Sequence, residues 1–305
     1  MGGLVLVRRW LDVAGVFDPV LRAAYTVACR RALSDRAGVT WLGILSVPSR
    51  ARPLTAAAAM VILEADARAD EGPHEQRLER FEEWVDAWYA ALDSGSSAEP
   101  ILHAAAHAHR VAPVKPTRAL MDQAFAAARS DLDFREFPTY ADWQVYASGS
   151  AGAAMLWTLS MRGEYGESGE RIIREYGYMA QLVDCLADVS EDAREGRLYL
   201  PLEDLARFGV RREDLEAGRW TSATADLVAF EVARITGRMP AVLEMARAHP
   251  WLYPFCSALD EYIRPLCAAV LEAGPSLLRR VAVPPTGPMV RGGMSLWRSA
   301  HVTSR

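Results

Sequence analysis

Apolar residues recur at helical spacing along most of this 305-residue chain, in segments separated by short breakers rich in Gly, Pro and Ser. A repeat of three to four residues places apolar side chains on one face of a helix. No segment shows the sustained alternation of apolar and polar residues that is typical of a half-buried strand. The pattern therefore predicts nine or ten helices in a single all-α domain around a central cavity. The predicted segments are 18–24, 54–69, 77–92, 100–109, 118–129, 140–160, 168–194, 222–247 and 251–273.

Three carboxylates stand four residues apart in the segment 168–194, at Asp184, Asp188 and Asp192. Four residues turn about 400° on an α-helix, so the three side chains form one stripe. The neighbouring positions are apolar, which indicates that the helix is largely buried, and a buried acidic stripe needs a counter-charge. A divalent cation supplies that charge, and Mg²⁺ prefers carboxylates together with the phosphates of a substrate. The stripe therefore predicts a magnesium site for a phosphorylated molecule.

A second acidic pair, Asp66 and Asp70, ends the apolar helix that begins near Leu54, and the pair shares one helix face. Considered alone, such a pair is typical of a solvated helix end. Together with the first stripe it favours a different arrangement, in which two acidic helices face each other with Mg²⁺ between them. That arrangement can hold a diphosphate and stabilise the charge on it as it leaves.

The net charge and the cysteine pattern limit the binding partners and the cellular compartment that we expect. A net charge of −5 gives no reason to expect a nucleic-acid partner. The four cysteines are scattered without CxxC spacing, which favours a reduced, cytoplasmic location. No signal peptide is visible, and the longest apolar run, 54–63, is too short to span a bilayer.

We expect a helical domain over 1–283 and a flexible tail over 284–305. A peripheral membrane contact stays open, because a lipid substrate would allow one.

The second acidic segment is the strongest of several motifs that resemble one protein family. It continues into Gly196-Arg197-x-Tyr199-x-Pro201, and the combined pattern resembles the squalene/phytoene synthase family of all-α, class I prenyl-transferring enzymes. The resemblance covers roughly residues 25–282. The matching positions are Gln181, Leu182, Asp184, Asp188, Asp192, Gly196, Arg197, Tyr199 and Pro201 in this segment, the run from Tyr146 to Gly152, Pro48 with Arg52, Tyr262, and Arg279-Arg280-Val281.

The resemblance implies the class I isoprenoid synthase fold, a prenyl diphosphate substrate and Mg²⁺ as the cofactor. The implied metal ligands are Asp66, Asp70, Asp184, Asp188 and Asp192. The implied catalytic residues are Asp66, Asp70, Asp188, Asp192 and Tyr146. The ring of this tyrosine would stabilise an allylic cation through its π-face. The implied contacts to the diphosphate or the prenyl substrate are Arg52, Gln181, Arg197, Tyr262, Arg279 and Arg280, and the sequence does not select one arginine among them.

Several positions depart from the family pattern, and two of the departures remove arginines. The departures are Thr40 for a phenylalanine, Ala59 for a tyrosine, Leu63 for an arginine, Ala67 for an aspartate, Asp184 for an asparagine and Ala187 for an arginine. An aspartate at position 184 can still bind Mg²⁺. Because arginine holds phosphate in bidentate geometry, two diphosphate contacts are lost. We therefore expect one diphosphate to bind and ionise, while a second prenyl diphosphate is no longer the expected acceptor.

Three functions stay open at this point. In the first, the chain transfers a prenyl group, such as dimethylallyl, to a small-molecule acceptor in secondary metabolism. That acceptor would be a carbazole- or indole-like ring without a diphosphate, and the short side chains of Ala59, Leu63 and Ala187 would make room for it. In the second, the chain joins two prenyl diphosphates head to head into phytoene or squalene. In the third, it is a non-catalytic helical protein, against which the retained aspartates argue. The sequence leaves the oligomeric state open.

Overall fold

A computed structural model describes residues 2–34 and 38–283, and every regular element in these ranges is helical. The predicted all-α, single-domain fold is confirmed for this part of the chain, while the predicted tail over 284–305 lies outside the described residues. A π-helical turn, Ser148–Ala153, and a 3₁₀ turn, Gly274–Leu278, accompany the α-helices. The described α-helices are α1 (Gly2–Val13), α2 (Pro19–Ser34), α3 (Gly38–Ser46), α4 (Arg52–Asp70), α5 (His74–Ser94), α6 (Pro100–Val111), α7 (Arg118–Leu132), α8 (Tyr140–Ala147), α9 (Ala154–Ser160), α10 (Gly166–Ala187), α11 (Val189–Arg194), α12 (Leu202–Phe208), α13 (Arg212–Glu216), α14 (Ser222–Ala246) and α15 (Leu252–Ala273).

The helices pack into two apolar clusters with a cleft between them. The first cluster surrounds α4, which contacts α2, α5, α6 and α7. The run of alanines from Ala56 to Ala59 is buried in α4, and these short side chains let the neighbouring helices approach closely. The second cluster surrounds α10, α14 and α15. Helices α4 and α10 are therefore central in the two halves, and the aspartates of the two acidic motifs lie at or just after their C-terminal ends.

Local sequence sets the two ends of α4. Pro53 occupies the first turn, where its missing N–H leaves no hydrogen bond unmade. At the other end Glu71 is extended, with φ of −98° and ψ of 148°. Gly72 follows with φ of +88°, a left-handed conformation that glycine adopts without a side-chain clash. Asp66 and Asp70 consequently lie in the last turn of the helix, beside the cleft.

The helix that carries the second acidic motif is broken, in contrast to the continuous helix predicted over 168–194. α10 ends at Ala187, and Asp188 between α10 and α11 has φ of −97° and ψ of 3°. The N–H of Asp188 still donates to the carbonyl of Asp184 at 2.9 Å, so the chain bends at Asp188 while this helical hydrogen bond is kept. The N–H of Ala282 donates to the carbonyl of Ala187 at 3.0 Å, so the segment after the 3₁₀ turn crosses this bend.

The described helices extend beyond the predicted segments. α1, α3, α12 and α13 were not predicted. For α12 and α13, of seven and five residues, the segments are too short for a clear periodicity. Three of these four helices pack on longer neighbours: α1 on α2, α3 on α15, and α12 on α14. Within the described ranges, no helix combines the length and the apolar character that a membrane crossing requires.

The π-helical turn packs closely against α7 and α10 because glycines lie at both contacts. A Cβ on Gly149 would lie 2.6 Å from the backbone oxygen of Gln123 in α7. A Cβ on Gly177 in α10 would lie 2.9 Å from the backbone nitrogen of Gly152 in the turn. π-Helical turns are frequent at functional sites, and this one follows Tyr146 directly, so its packing helps to fix the direction of that side chain.

Gly149→Ala is therefore expected to lower the free energy of unfolding by about 1–3 kcal/mol, the usual cost of an added methyl group in a tight contact. Gly237→Ala on α14 is the matched control, because no atom lies within 4 Å of a Cβ at that position. It should leave stability unchanged or raise it by up to about 1 kcal/mol, since alanine favours a helix more than glycine does. Urea unfolding followed by circular dichroism measures both, and equal effects would contradict the close contact.

Candidate active site

The C-terminal ends of α4, α7 and α10 converge on a cleft of about 290 Å³ between the two apolar clusters. All five aspartates that the sequence analysis selected line this cleft, as do Gln181, Arg197 and Tyr146. The full set of lining residues is Ile62, Asp66, Ala69, Asp70, Ala124, Ala128, Asp131, Tyr146, Ser150, Gln181, Asp184, Cys185, Asp188, Asp192, Arg197 and Tyr199.

Negative charge dominates the cleft. Six aspartates line it, and the C-terminal ends of three helices, each carrying roughly half a negative charge, point toward it. Among the described residues that line the cleft, Arg197 is the only arginine, and lysine is not represented. This balance favours the binding of cations.

Five of the cleft aspartates are difficult to ionise in the metal-free protein. Burial first, and neighbouring negative charges second, raise the pKa of Asp66, Asp188 and Asp192 to about 7. Burial likewise raises the pKa of Asp184 and Asp131 to about 6. A bound divalent cation favours the ionised form of each carboxylate, so cation binding is expected to release protons below about pH 7.

These raised pKa values link the stability of the metal-free protein to pH. An unfolded aspartate has a pKa of about 3.9, below the folded values, so the folded state holds protons more tightly. The resulting stabilisation is complete below about pH 4 and is lost as the pH rises through about 7. In EDTA, we therefore expect the melting temperature to fall between pH 5 and pH 8.

Added MgCl₂ should raise the melting temperature more at pH 8 than at pH 5, because Mg²⁺ binds ionised carboxylates. The double variant Asp188→Asn/Asp192→Asn should lose most of this pH-dependent gain. Thermal unfolding with and without MgCl₂ at the two pH values measures the effect. A magnesium shift that is as large at pH 5 as at pH 8 would show that the ion does not bind these carboxylates.

The donor set of the cleft fits Mg²⁺, for which carboxylate oxygens are preferred protein ligands. Asp66 and Asp70 line one wall, and Asp188 and Asp192 line the other. In the ranges that the structure describes, no three His, Cys, Asp or Glu side chains form a group that could hold a metal ion. Mg²⁺ commonly takes one or two protein carboxylates and completes its shell with water and substrate phosphates. The arrangement suits a site in which Mg²⁺ and a diphosphate bind together.

Asp131 is a cleft residue that the sequence analysis missed. It lies in the last turn of α7 and accepts hydrogen bonds from the hydroxyls of Tyr199 at 2.8 Å and Tyr146 at 3.3 Å. Its negative charge also adds to the raised pKa of Asp66, which places the two carboxyls near each other. Asp131 has no acidic neighbour four residues away on its helix, so spacing alone offered no signal for it.

Arg197 connects the two acidic walls. One guanidinium nitrogen lies 3.0 Å from a carboxylate oxygen of Asp70, and another pairs with Glu195. The guanidinium carbon lies 6.0 Å from the ring centre of Tyr199. The Nε of Arg197 is buried and makes no hydrogen bond within the protein.

Gln181 and Tyr146 both face the cleft. The amide oxygen of Gln181 accepts a hydrogen bond from the hydroxyl of Ser150 in the π-helical turn, at 3.0 Å. The ring of Tyr146 packs 5.1 Å from that of Phe137 and 5.5 Å from that of Tyr199. These contacts hold the tyrosine ring in an aromatic group at the edge of the acidic walls.

The structure corrects the prediction for three arginines. Arg52 is only 1% exposed; its Nε donates to the carbonyl of Val47 at 3.2 Å, and its guanidinium carbon lies 5.6 Å from the ring centre of Trp10. It therefore stabilises the connection before α4 and does not line the cleft. Arg279 and Arg280 are exposed after the 3₁₀ turn and do not line the cleft either.

Two further predicted residues lie outside the lining of the cleft. Ala187 is buried in the second apolar cluster, so its short side chain opens no space in the cleft. Tyr262 packs against the same cluster. Burial, and then the negative charges of Asp184 and Asp188, raise the pKa of Tyr262, which places its hydroxyl near these two carboxyls.

An apolar extension of about 100 Å³ adjoins the cleft, and Ile62 lines both spaces. Ala59 and Leu63, two of the three departures from the family pattern on α4, line this extension, as does Thr40. The remaining lining residues are Gly43, Thr55, Ala154, Met155, Thr158, Leu159 and Phe255. The position at which the family has an arginine consequently faces an apolar space in this chain.

The sequence is similar to known proteins over most of its length. The profile of the squalene/phytoene synthase family matches residues 40–298. A bifunctional protein CrtB/UppS from Streptomyces coelicolor is 32% identical over 225 residues, which are 73% of this chain but only 39% of that protein. A phytoene synthase from Arthrospira platensis is 27% identical over 265 residues, which cover 80% of this chain and 83% of that enzyme.

Two solved structures share the fold. The squalene synthase HpnC from Alicyclobacillus acidocaldarius has a TM-score of 0.74 and 20% identity, covering 86% of this chain and 98% of its own. A dehydrosqualene synthase in complex with ligand has a TM-score of 0.74 and 17% identity, covering 93% of this chain and 98% of its own. At these identities the similarity establishes the fold and carries no information about the substrate.

Proposed function

The chain belongs to the squalene/phytoene synthase family and has its class I isoprenoid synthase fold, and from this premise we propose that it is a Mg²⁺-dependent prenyltransferase. Its donor is an allylic prenyl diphosphate, such as dimethylallyl diphosphate. Its acceptor is a small aromatic molecule without a diphosphate, such as a carbazole or an indole. The observation that carries this proposal is the charge balance of the cleft, where, among the described lining residues, six aspartates face one arginine, Arg197.

The number of arginines that line the cleft supports the binding of one diphosphate and not of two. A head-to-head reaction brings two prenyl diphosphates into one site, and arginine is the side chain that holds phosphate in bidentate geometry. Leu63 stands at one of the family's arginine positions and faces the apolar extension. Ala187 stands at the other and is buried away from the cleft. A second diphosphate would therefore meet the aspartates without a matching set of arginines.

The size of the apolar extension favours a short donor. Its volume of about 100 Å³ is about a third of the 290 Å³ of the acidic cleft. A dimethylallyl group fits that space better than a farnesyl or geranylgeranyl chain. Because Ile62 lines both spaces, a prenyl group in the extension would lie next to the acidic cleft, where its diphosphate is proposed to bind.

The residues of the cleft then take separate parts in the reaction. The carboxylates of the two walls would hold Mg²⁺, which neutralises the charge that develops on the leaving diphosphate. Arg197, which lines the cleft, would donate to the diphosphate. The ring of Tyr146, oriented by the bond of its hydroxyl to Asp131, stabilises the allylic cation through its π-face. A carbon of the acceptor ring attacks the cation, and the ring proton passes to the released pyrophosphate.

Incubation with dimethylallyl diphosphate, carbazole and MgCl₂ tests the proposal. We expect prenylated carbazole by mass spectrometry and an equal amount of pyrophosphate in a coupled assay. Omission of MgCl₂ should stop both. If no pyrophosphate is released from dimethylallyl, farnesyl or geranylgeranyl diphosphate, the proposal fails and a non-catalytic role is favoured.

Head-to-head condensation is the second candidate, and the names of the relatives favour it. A phytoene synthase and structures of squalene and dehydrosqualene synthases are among the proteins to which the chain is similar. Incubation with only farnesyl or only geranylgeranyl diphosphate separates the two candidates. A squalene- or phytoene-type hydrocarbon without any acceptor would support this second function and contradict the first.

A further inference from the structure

A second, larger recess lies on the outer side of α7, opposite the acidic cleft. This outer groove, of about 1030 Å³, is formed by α5, α7, the connection 133–138 and α8. Ala124, Ala128 and Asp131 of α7 line the acidic cleft, whereas Phe125 and Arg129 line the groove. Tyr146 lines both spaces, so its side chain forms part of the wall between them.

The walls of the outer groove are suited to a flat aromatic molecule. The rings of Phe134 and Phe137 meet edge to face with their centres 5.9 Å apart, and the ring of Tyr146 lies 5.1 Å from that of Phe137. Val145 adds an apolar side chain that is 75% exposed. Aromatic pairs prefer such offset or edge-to-face contacts at 4.5–7 Å. The groove is also at the upper end of the size of small-molecule sites, about 300–1,000 Å³.

The charge of the outer groove excludes a second prenyl diphosphate as its ligand. Its two arginines, Arg129 and Arg135, are already paired with Glu82 and Asp133. The carboxylates that line it are Glu82, Asp86, Asp122, Asp133, Glu136 and Asp142. A diphosphate would meet a negative wall without a free guanidinium, whereas a neutral or cationic ring system would not be repelled.

The side chain of Tyr146 is held by two ring contacts and one long hydrogen bond. Its hydroxyl reaches Asp131 at 3.3 Å, which is beyond the common range of 2.5–3.0 Å for such bonds, whereas that of Tyr199 reaches the same carboxylate at 2.8 Å. The ring lies 5.1 Å from that of Phe137 and 5.5 Å from that of Tyr199. One aromatic side chain therefore contributes to both the outer groove and the acidic cleft.

We propose that the outer groove binds the aromatic acceptor and that the acceptor meets the allylic group at Tyr146. This inference rests on the proposed function and assigns its acceptor site. The C–O bond of the donor breaks, and its electron pair leaves with the diphosphate. The π-electrons of the acceptor form the new C–C bond, and the ring proton passes to the released diphosphate. The prenyl transfer is balanced in atoms and electrons without a further reactant.

Val145→Arg tests the acceptor site, because this exposed position tolerates a long side chain that would project into the groove. Fluorescence titration with carbazole, without donor and without metal, should show at least tenfold weaker binding than in the wild-type protein. In the complete reaction, KM for carbazole should rise by at least tenfold more than KM for dimethylallyl diphosphate. Val20→Arg on α2, where the valine is 69% exposed, is the matched control and should bind carbazole as the wild type does.

The outcomes separate this inference from the function on which it rests. Unchanged carbazole binding in Val145→Arg, an equal loss in Val20→Arg, or no carbazole binding by the wild type overturns the acceptor site. Prenyl transfer with the same KM for carbazole in wild type and Val145→Arg also overturns it, although the proposed function would stand. Weakened binding in Val145→Arg without any prenyl transfer would support the groove and contradict the proposed function.

Discussion

Asp188→Asn is expected to lower kcat/KM for dimethylallyl diphosphate by about 10³-fold, because the loss of one pre-positioned charge-stabilising group typically costs 10²- to 10³-fold. Asp188 lies at the bend between α10 and α11 and lines the cleft beside Asp184 and Asp192. The bend itself uses the N–H and carbonyl of Asp188, not its carboxylate. The amide should therefore preserve the fold while it removes the charge that holds Mg²⁺. Steady-state pyrophosphate release measures the loss.

Asp226→Asn is the matched control for this prediction. Asp226 is an exposed aspartate on α14, outside the cleft lining, so the same chemical change there should leave kcat/KM within twofold, less than about 0.5 kcal/mol. The melting temperature of Asp188→Asn in EDTA provides a check on folding. A folded Asp188→Asn protein that retained more than a tenth of the wild-type rate would remove this residue from the metal site.

Arg197→Gln is expected to lower kcat/KM by about 10²-fold, mainly through a higher KM for the donor, since it removes the single guanidinium of the cleft. Arg197→Lys should recover only part of this loss, because an ammonium group cannot replace the bidentate fork. The effect on stability should be small, as the Asp70 partner of Arg197 is half exposed and surface ion pairs contribute little. Kinetic and thermal measurements on the same protein samples separate the two effects.

Arg280→Gln provides the comparison, because it was an equal candidate for diphosphate binding in the sequence. Arg280 is exposed and does not line the cleft, so its replacement should leave KM for the donor unchanged. If Arg280→Gln raised that KM as much as Arg197→Gln, the diphosphate would bind outside the cleft described here.

The sequence could predict those parts of the site that depend on the spacing of residues within one helix. Asp66 with Asp70, and Asp184 with Asp188, are four residues apart, and such pairs share a helix face whatever the tertiary structure is. The helical periodicity of the long segments likewise predicted the all-α fold. The bend at Asp188 was not predictable, because the residues around it form an unbroken helical pattern in the sequence.

The remaining features depend on contacts between distant segments. Asp131 joins the cleft only because the hydroxyls of Tyr146 and Tyr199 reach it from other elements. Arg52 was assigned to the diphosphate by its position in the family pattern, but its side chain turns to the backbone before α4. The outer groove is formed by four separate parts of the chain, and none of them carries a motif for it.

The hydrogen bond between Ala282 and Ala187 links the end of the described chain to the metal-binding wall. Ala282 therefore lies beside the bend at Asp188, whereas α1 packs on α2 in the other apolar cluster. A load applied to the segment around Ala282 would act directly on the bend. For immobilising this protein as a catalyst, attachment through an exposed residue of α2 would leave the acidic wall free of mechanical load.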